Sequence, residues 1–324
     1  MRAVVCREYG APEDLVLDEL PDPTPGPGQV VVKVHAAAVN YPDVLLIAGK
    51  YQIKVPPPFS PGSELAGEVL AVGDGVDYRP GDRVSATAFV GGFAEQALVD
   101  ARGLTRVPDG VDYADAAAFG VTNRTAYYTL RTVAPVQPGD WVVVLGAGGG
   151  VGLAAVDIAV LMGAKVIAAA SGAEKLEVCR RRGATEVIDY DREDLKSRLK
   201  EITGEAGTRV VLDPVGGHYS EPALRSLGRG GKFVTLGYAA GEIPRIPLNL
   251  VMLKGITVQG MEIRTFATDY PDDIARDDAE LAQLFAEGKL RPYLGARFPL
   301  EQAAAALRYV ADRKAIGKVV IDVD

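Results

Sequence analysis

The stretch Trp141-Val-Val-Val-Leu-Gly146-Ala-Gly-Gly-Gly150-Val-Gly152 constrains the fold more than any other part of the chain. Its first half is an unbroken apolar run, which suits a strand at the centre of a parallel sheet covered on both faces. The glycines that follow permit a tight bend that exposes bare amides. From Val151 to Met162 the chain is almost wholly apolar and stops at Gly163, so it reads as a buried helix. Lys165 to Ser171 reads as a second strand, which completes a βαβ unit of ~30 residues. Amides and a helix N-terminus converge on the turn, and both favour a pyrophosphate. The unit therefore predicts a bound dinucleotide.

The end of the second strand selects between the nicotinamide dinucleotides. Where an NAD site places a carboxylate, about twenty residues past the glycines, this chain has Ser171 and Gly172. The nearest acid is Glu174; Lys175 follows it, and Tyr190 closes the next strand, Glu186 to Tyr190. A hydroxyl, an ammonium and a phenol suit a 2′-phosphate, and the missing acid removes its repulsion. The expected cofactor is NADPH.

With 324 residues and 48% hydrophobic side chains, the chain is long enough to bury two cores. A net charge of −8 without any basic run argues against nucleic acid as a partner, because phosphate recognition needs a basic face. Residues 1–10 lack the basic-then-apolar pattern of a signal peptide. The tract from Trp141 to Ala164 has the length of a membrane span, but its glycine cluster and Asp157 fit the βα unit, so no membrane partner is expected. Cys6 and Cys179 have no paired spacing, in keeping with a reducing, cytoplasmic compartment. His35 and His218 share no ligand spacing with them, so no metal site is expected.

The N-terminal third reads as strands. Met1 to Cys6, Val16 to Glu19, Gln29 to Ala38, Glu64 to Val72 and Asp82 to Ala88 are punctuated by Pro/Gly clusters and suggest a small, partly closed β-barrel. One segment departs from this pattern. A helical turn opens at Pro42 and ends at Gly49, bracketed by the polar residues Asn40, Asp43 and Tyr51. Beyond it, Ala114 to Val121 and Thr125 to Val133 read as helices. Arg209 to Val215, Lys232 to Gly237 and Thr257 to Ile263 read as the later strands of the sheet, the last of them an edge. Ligands of open α/β sheets bind at the carboxyl ends of such strands. Asp277 to Gly288 and Leu300 to Ala311 read as amphipathic helices, and Lys318 to Asp322 as a final strand that returns to the barrel.

These segments carry a resemblance over the whole chain. Asn40-Tyr-Pro-Asp43 with Gly49-Lys-Tyr51, Pro61-Gly-Ser-Glu64-Leu-Ala-Gly67, Gly81-Asp-Arg-Val84, the glycine turn and Arg313-Lys-Ala-Ile-Gly-Lys318 resemble the zinc-free, zeta-crystallin-like quinone oxidoreductases of the medium-chain dehydrogenase/reductase superfamily. Zinc-dependent alcohol dehydrogenases of that superfamily have Gly-His-Glu where this chain has Gly62-Ser63-Glu64, and the cysteine-rich loop of their second zinc is absent. The resemblance implies an α/β chain: a GroES-like β-barrel from residues 1–121 and 265–324, a Rossmann doubly wound parallel sheet over 122–264, and a homodimer paired through the edge strand near Met261. It implies Asn40, Asp43, Tyr51 and Thr122 as catalytic residues. Gly149, Gly150 and Val151 would hold the pyrophosphate, and Ser171, Lys175 and Tyr190 the 2′-phosphate. Pro214, Val215, Gly237, Tyr238, Ala239, Met261 and Ile263 would line the cofactor, with Asn40, Thr122 and Lys318 on the nicotinamide side. Asn123 and Arg124 depart from the usual pattern, as does the polar Met261-Glu-Ile-Arg264. Arg124 is either an anchor for an anionic substrate or a helix-surface charge.

The expected function is metal-free hydride transfer from NADPH to a quinone or similar conjugated carbonyl. Two alternatives stay open: an enoyl-thioester or alkenal reductase, in which Tyr51 donates the proton, and an NADPH-binding, crystallin-like protein without turnover.

Overall fold

Trp141–Leu145 lies inside a six-stranded sheet in which every neighbouring pair is parallel. The computed structural model describes residues 1–323. Across this sheet the order is Glu186–Asp189, Lys165–Ala170, Trp141–Leu145, Thr208–Asp213, Leu227–Thr235, Thr257–Gly260. In chain order this is 3-2-1-4-5-6, the Rossmann topology, and the winding reverses between Trp141–Leu145 and Thr208–Asp213. Val142, Val143, Val144 and Leu145 are all fully buried, as helices on both faces require. The tract with the length of a membrane span is thus a strand, a glycine turn and the helix Gly150–Leu161. Among the described residues no helix is long and apolar enough to cross a membrane.

The chain divides into two compact units, residues 122–290 around this sheet and residues 1–121 joined by the segment from Arg291 onward. The sequence placed the return to the first unit at residue 265, and the structure moves it to 291. The reason is aromatic and ionic packing of 265–290 within the second unit. Phe266 stacks on Tyr128 with ring centroids 4.0 Å apart, Thr132 donates to the buried Asp277, and Arg131 forks onto Glu280. The two helices expected at 114–121 and 125–133 are one helix, Tyr113–Tyr128, continued by a π-helical turn over Thr129–Val133. No proline interrupts Thr122–Arg124, and Thr122 and Asn123 are buried on the helix, so nothing breaks it there.

The first unit is built on the long strand Gln29–Val39, which pairs with Glu64–Val72, Gln96–Asp100 and Lys318–Asp322, all antiparallel. The final strand therefore does return to the barrel. Arg83–Thr87 and Leu104–Arg106 extend the sheet on one side and Leu294–Pro299 on the other. The strands at 96–100, 104–106 and 294–299 escaped the sequence reading because they are short and half polar. Val30, Val32, Leu65, Val84, Phe93 and Ile321 fill the core, and the fold is GroES-like.

Candidate active site

In the second unit the predicted cofactor residues gather along the carboxyl edge of the parallel sheet. Gly146 sits at φ +59°, Gly149 caps the helix Gly150–Leu161, and the first backbone bond into that helix is from Leu153 N–H to the Gly149 carbonyl. The amides of Gly150, Val151 and Gly152 precede that bond, so they are the donors a helix start offers to an anion. A Cβ on Gly148 would lie 2.6–3.0 Å from Cβ, Cγ and Cδ of Lys175, so the lysine stem runs over the glycine turn. Ser171 follows the strand Lys165–Ala170, and Tyr190 N–H donates to the Ala170 carbonyl beside it. Tyr190 in turn packs its ring on Tyr219, with centroids 4.2 Å apart.

The neighbouring loops are tied to this edge by a buried acid. Asp213 is wholly shielded: one carboxylate oxygen accepts the amides of Val215 and Gly216 at 2.8 and 2.7 Å, and the other accepts the Ser220 hydroxyl. This shapes the Pro214-Val215 turn. Ala239 N–H donates to Pro214 and Ala240 N–H to Val215, which brings Gly237, Tyr238 and Ala239 alongside. Met261 N–H donates to the Thr235 carbonyl, which places Met261, followed by Ile263, at the same edge. Burial pushes the Asp213 carboxyl above its usual range.

The first unit presents a second constellation, which register creates. Ala38 faces Glu64 on one neighbouring strand and Val39 faces Val319 on the other, so Asn40, Glu64 and Lys318 end side by side. Lys318 Nζ donates to Asn40 Oδ1 at 2.6 Å and to Glu64 Oε2 at 2.8 Å, while Asn40 Nδ2 donates to the same carboxylate oxygen at 2.9 Å. Asn40 also starts the helix Tyr41–Ile47, and its N–H donates to Asp43 Oδ2 at 2.7 Å. The other oxygen of Asp43 is buried with no hydrogen-bond partner. Burial raises the Asp43 carboxyl from 3.8 to about 7. The folded protein thus holds this proton more tightly than the unfolded chain, so stability should decline from about pH 4 to about pH 7 and then level off. Asp43→Asn is expected to flatten the thermal midpoint over that window, measured by calorimetry from acid to neutral pH; an unchanged slope would refute it.

Thr122 is buried on the helix Tyr113–Tyr128 and belongs to the second unit. Tyr51 lies just past Tyr41–Ile47, with its N–H on the Leu45 carbonyl and its ring 6.2 Å from Phe89. Arg124 Nε is 3.2 Å from Asp278, and Arg264 pairs with Glu262, so both guanidinium groups have carboxylate partners within the protein. Arg124 is half-buried on its helix, with its charge paired to Asp278. Ser63 Oγ accepts Asn40 Nδ2 at 3.2 Å, and Cys6 and Cys179 are buried free thiols. Among the described residues no group of three or more His, Cys, Asp or Glu is placed to hold a metal ion.

Residues 26–109 match the alcohol dehydrogenase GroES-like domain and residues 150–277 the zinc-binding dehydrogenase family. The quinone oxidoreductase-like protein 2 homolog of Nematostella vectensis is 38% identical over 99% of this chain and 88% of its own length. Human quinone oxidoreductase is 33% identical over 99% of this chain and 97% of its own. The chain belongs to the quinone oxidoreductases of the medium-chain dehydrogenase/reductase superfamily. Among solved members of this family, the Escherichia coli quinone oxidoreductase complexed with NADPH superposes with a TM-score of 0.92 at 30% identity, covering all of both chains.

Of the residues in these two clusters, sequence reasoning gave Glu64 and Ser63 no role beyond their place in the Gly62-Ser63-Glu64 comparison, and it did not single out Asp213. A signal for the first existed. Glu64 and Lys318 each head a strand rich in apolar residues, and two buried charges of opposite sign call for each other.

Proposed function

We propose that the protein uses NADPH to reduce a quinone or a similar conjugated carbonyl compound, with no metal. The observation that carries this reading is the carboxyl edge of the sheet, where a glycine turn, the Lys175 stem, Ser171 and Tyr190 adjoin and the strand Lys165–Ala170 is followed by Ser171 and Gly172 rather than by a carboxylate. When bound, NADPH supplies the hydride. The residues of this chain do the rest. The amides of Gly150 and Val151 hold the pyrophosphate; Ser171, Lys175 and Tyr190 hold the 2′-phosphate; the Pro214–Val215 and Gly237–Ala239 loops flank the cofactor. By the family resemblance, Asn40, Thr122 and Lys318 would orient the nicotinamide side, and donors among them would stabilise oxygen that gains negative charge. The test is an NADPH-oxidation screen across quinones, alkenals and enoyl thioesters. Quinones should be the best acceptors; preference for an enoyl thioester, or tight NADPH binding with no acceptor consumed, would sink the reading.

The same reading includes a homodimer. Thr257–Gly260 is an edge strand with a single neighbour, and beside it Leu248, Met252 and Leu253 are 75, 74 and 65% exposed on the short helix Leu248–Lys254. An open edge next to apolar side chains is stabilised by a second copy that continues the sheet. Light scattering should give twice the mass of the chain, and Leu253→Glu should give a folded monomer. A monomeric wild type would refute the dimer.

A further inference from the structure

Glu64 has no part in the reading above, yet its carboxylate is the hub of the barrel constellation. Its side chain is 1% exposed and that of Lys318 is 4% exposed. Such a pair holds together only if its remaining lone pairs and protons find partners. Glu64 meets that condition. Oε2 accepts from Lys318 and from Asn40, and Oε1 accepts the N–H of Val121. The helix carries Gly120 at the point of closest approach, where a Cβ would lie 3.0 Å from Oε1. The consequence falls on Asn40. Its oxygen faces an ammonium and its nitrogen faces a carboxylate and the Ser63 hydroxyl. Turning the amide over would set its NH2 against Lys318 and its oxygen against Glu64, so one of two nearly isosteric orientations is selected.

We propose that Glu64 is a positioning residue for the reduction, fixing the Lys318 ammonium and the Asn40 amide in the orientation they present to cofactor and substrate. This rests on the reading of Asn40 and Lys318 as nicotinamide-side residues. Glutamine is the informative replacement because it keeps the shape. It offers one acceptor oxygen and one NH2, so either the Val121 amide or the Lys318 and Asn40 donors must face another donor. Lys318 also loses its counter-charge.

The experiment compares wild type, Glu64→Gln, Lys318→Met and the double variant in NADPH oxidation with benzoquinone, with thermal midpoints and NADPH affinities read in parallel. Glu64→Gln should lower kcat on the order of a hundredfold, as a misplacement of about 1 Å does. Lys318→Met should lower kcat as well, and the double variant should be no worse than the poorer single, because residues that act as a unit are not additive. Its thermal midpoint should nonetheless recover, since no unpaired charge remains buried. A kcat for Glu64→Gln within about threefold of wild type, where a fully uncoupled change of ~0.6 kcal/mol suffices, would overturn the proposal. Recovery of kcat together with the thermal midpoint in the double variant would also overturn it, by making Glu64 a stability element only. Wild-type oxidation is read first: its absence sinks the functional reading, whereas an active wild type with unaffected variants sinks only the role of Glu64.

Discussion

Gly152→Ala is expected to abolish useful NADPH binding. A Cβ at this position would lie 2.2 Å from the Gly146 carbonyl oxygen and 2.6 Å from Ala147 Cα, whereas ordinary contacts begin at 3.4 Å. Both neighbours are backbone, so no side chain can swing aside. The helix Gly150–Leu161 and the turn must separate by about 1 Å, which carries the Gly150 and Val151 amides away from the place where a pyrophosphate would sit. Losing two charge-assisted hydrogen bonds at about 1.5–3 kcal/mol each weakens binding a hundredfold or more. Overpacking of this kind also costs about 1–3 kcal/mol of stability, so the thermal midpoint should fall by a few degrees while the fold persists. Calorimetric titration of the folded variant checks this. Affinity within about tenfold of wild type would show that the amides do not carry the binding.

The second large effect concerns the choice of dinucleotide. Wild type should bind NADPH at least about tenfold more tightly than NADH, because one charge-assisted hydrogen bond to a 2′-phosphate is worth that much or more. Lys175→Ala should erase most of the preference by weakening NADPH about ten- to a hundredfold and leaving NADH nearly unchanged. Because the Lys175 stem also packs over Gly148, a companion variant separates the two roles. Lys175→Met keeps most of the stem and removes the charge, so it should lose the preference as fully as alanine does. Equal affinities of wild type for the two dinucleotides would refute the assignment. A methionine variant that retains the preference would move the phosphate contact to Ser171 and Tyr190.

The two constellations differ in how far the linear chain discloses them. The second unit is legible because its chemistry is local. Strand, turn and helix are contiguous from Trp141 to Leu161, and Ser171 and Lys175 follow within the same βαβ unit. Parallel topology then requires the carboxyl ends to share one edge, so Pro214, Gly237 and Met261 are placed together once the strands are recognised. The loop conformation is less legible, since Asp213 holds it by burying a carboxylate among amides from its own turn. Nothing in residue order marks that acid as buried.

By itself the sequence determined the two fold classes, the dinucleotide turn, the missing acid at Ser171, and the return of Lys318–Asp322 to the barrel. The turn and the missing acid follow from apolar periodicity, glycine placement and single-residue chemistry within a few turns of chain, whereas the return of the last strand rests on the resemblance over the whole chain. Only the tertiary structure decided that Glu64, Asn40 and Lys318 form one buried hydrogen-bonded cluster, that Arg124 answers Asp278, and that residues 265–290 pack with the sheet unit. The physical reason is separation along the chain. Lys318 is 254 residues from Glu64, and Arg124 is 154 from Asp278, so only strand register and helix packing bring each pair within hydrogen-bond reach.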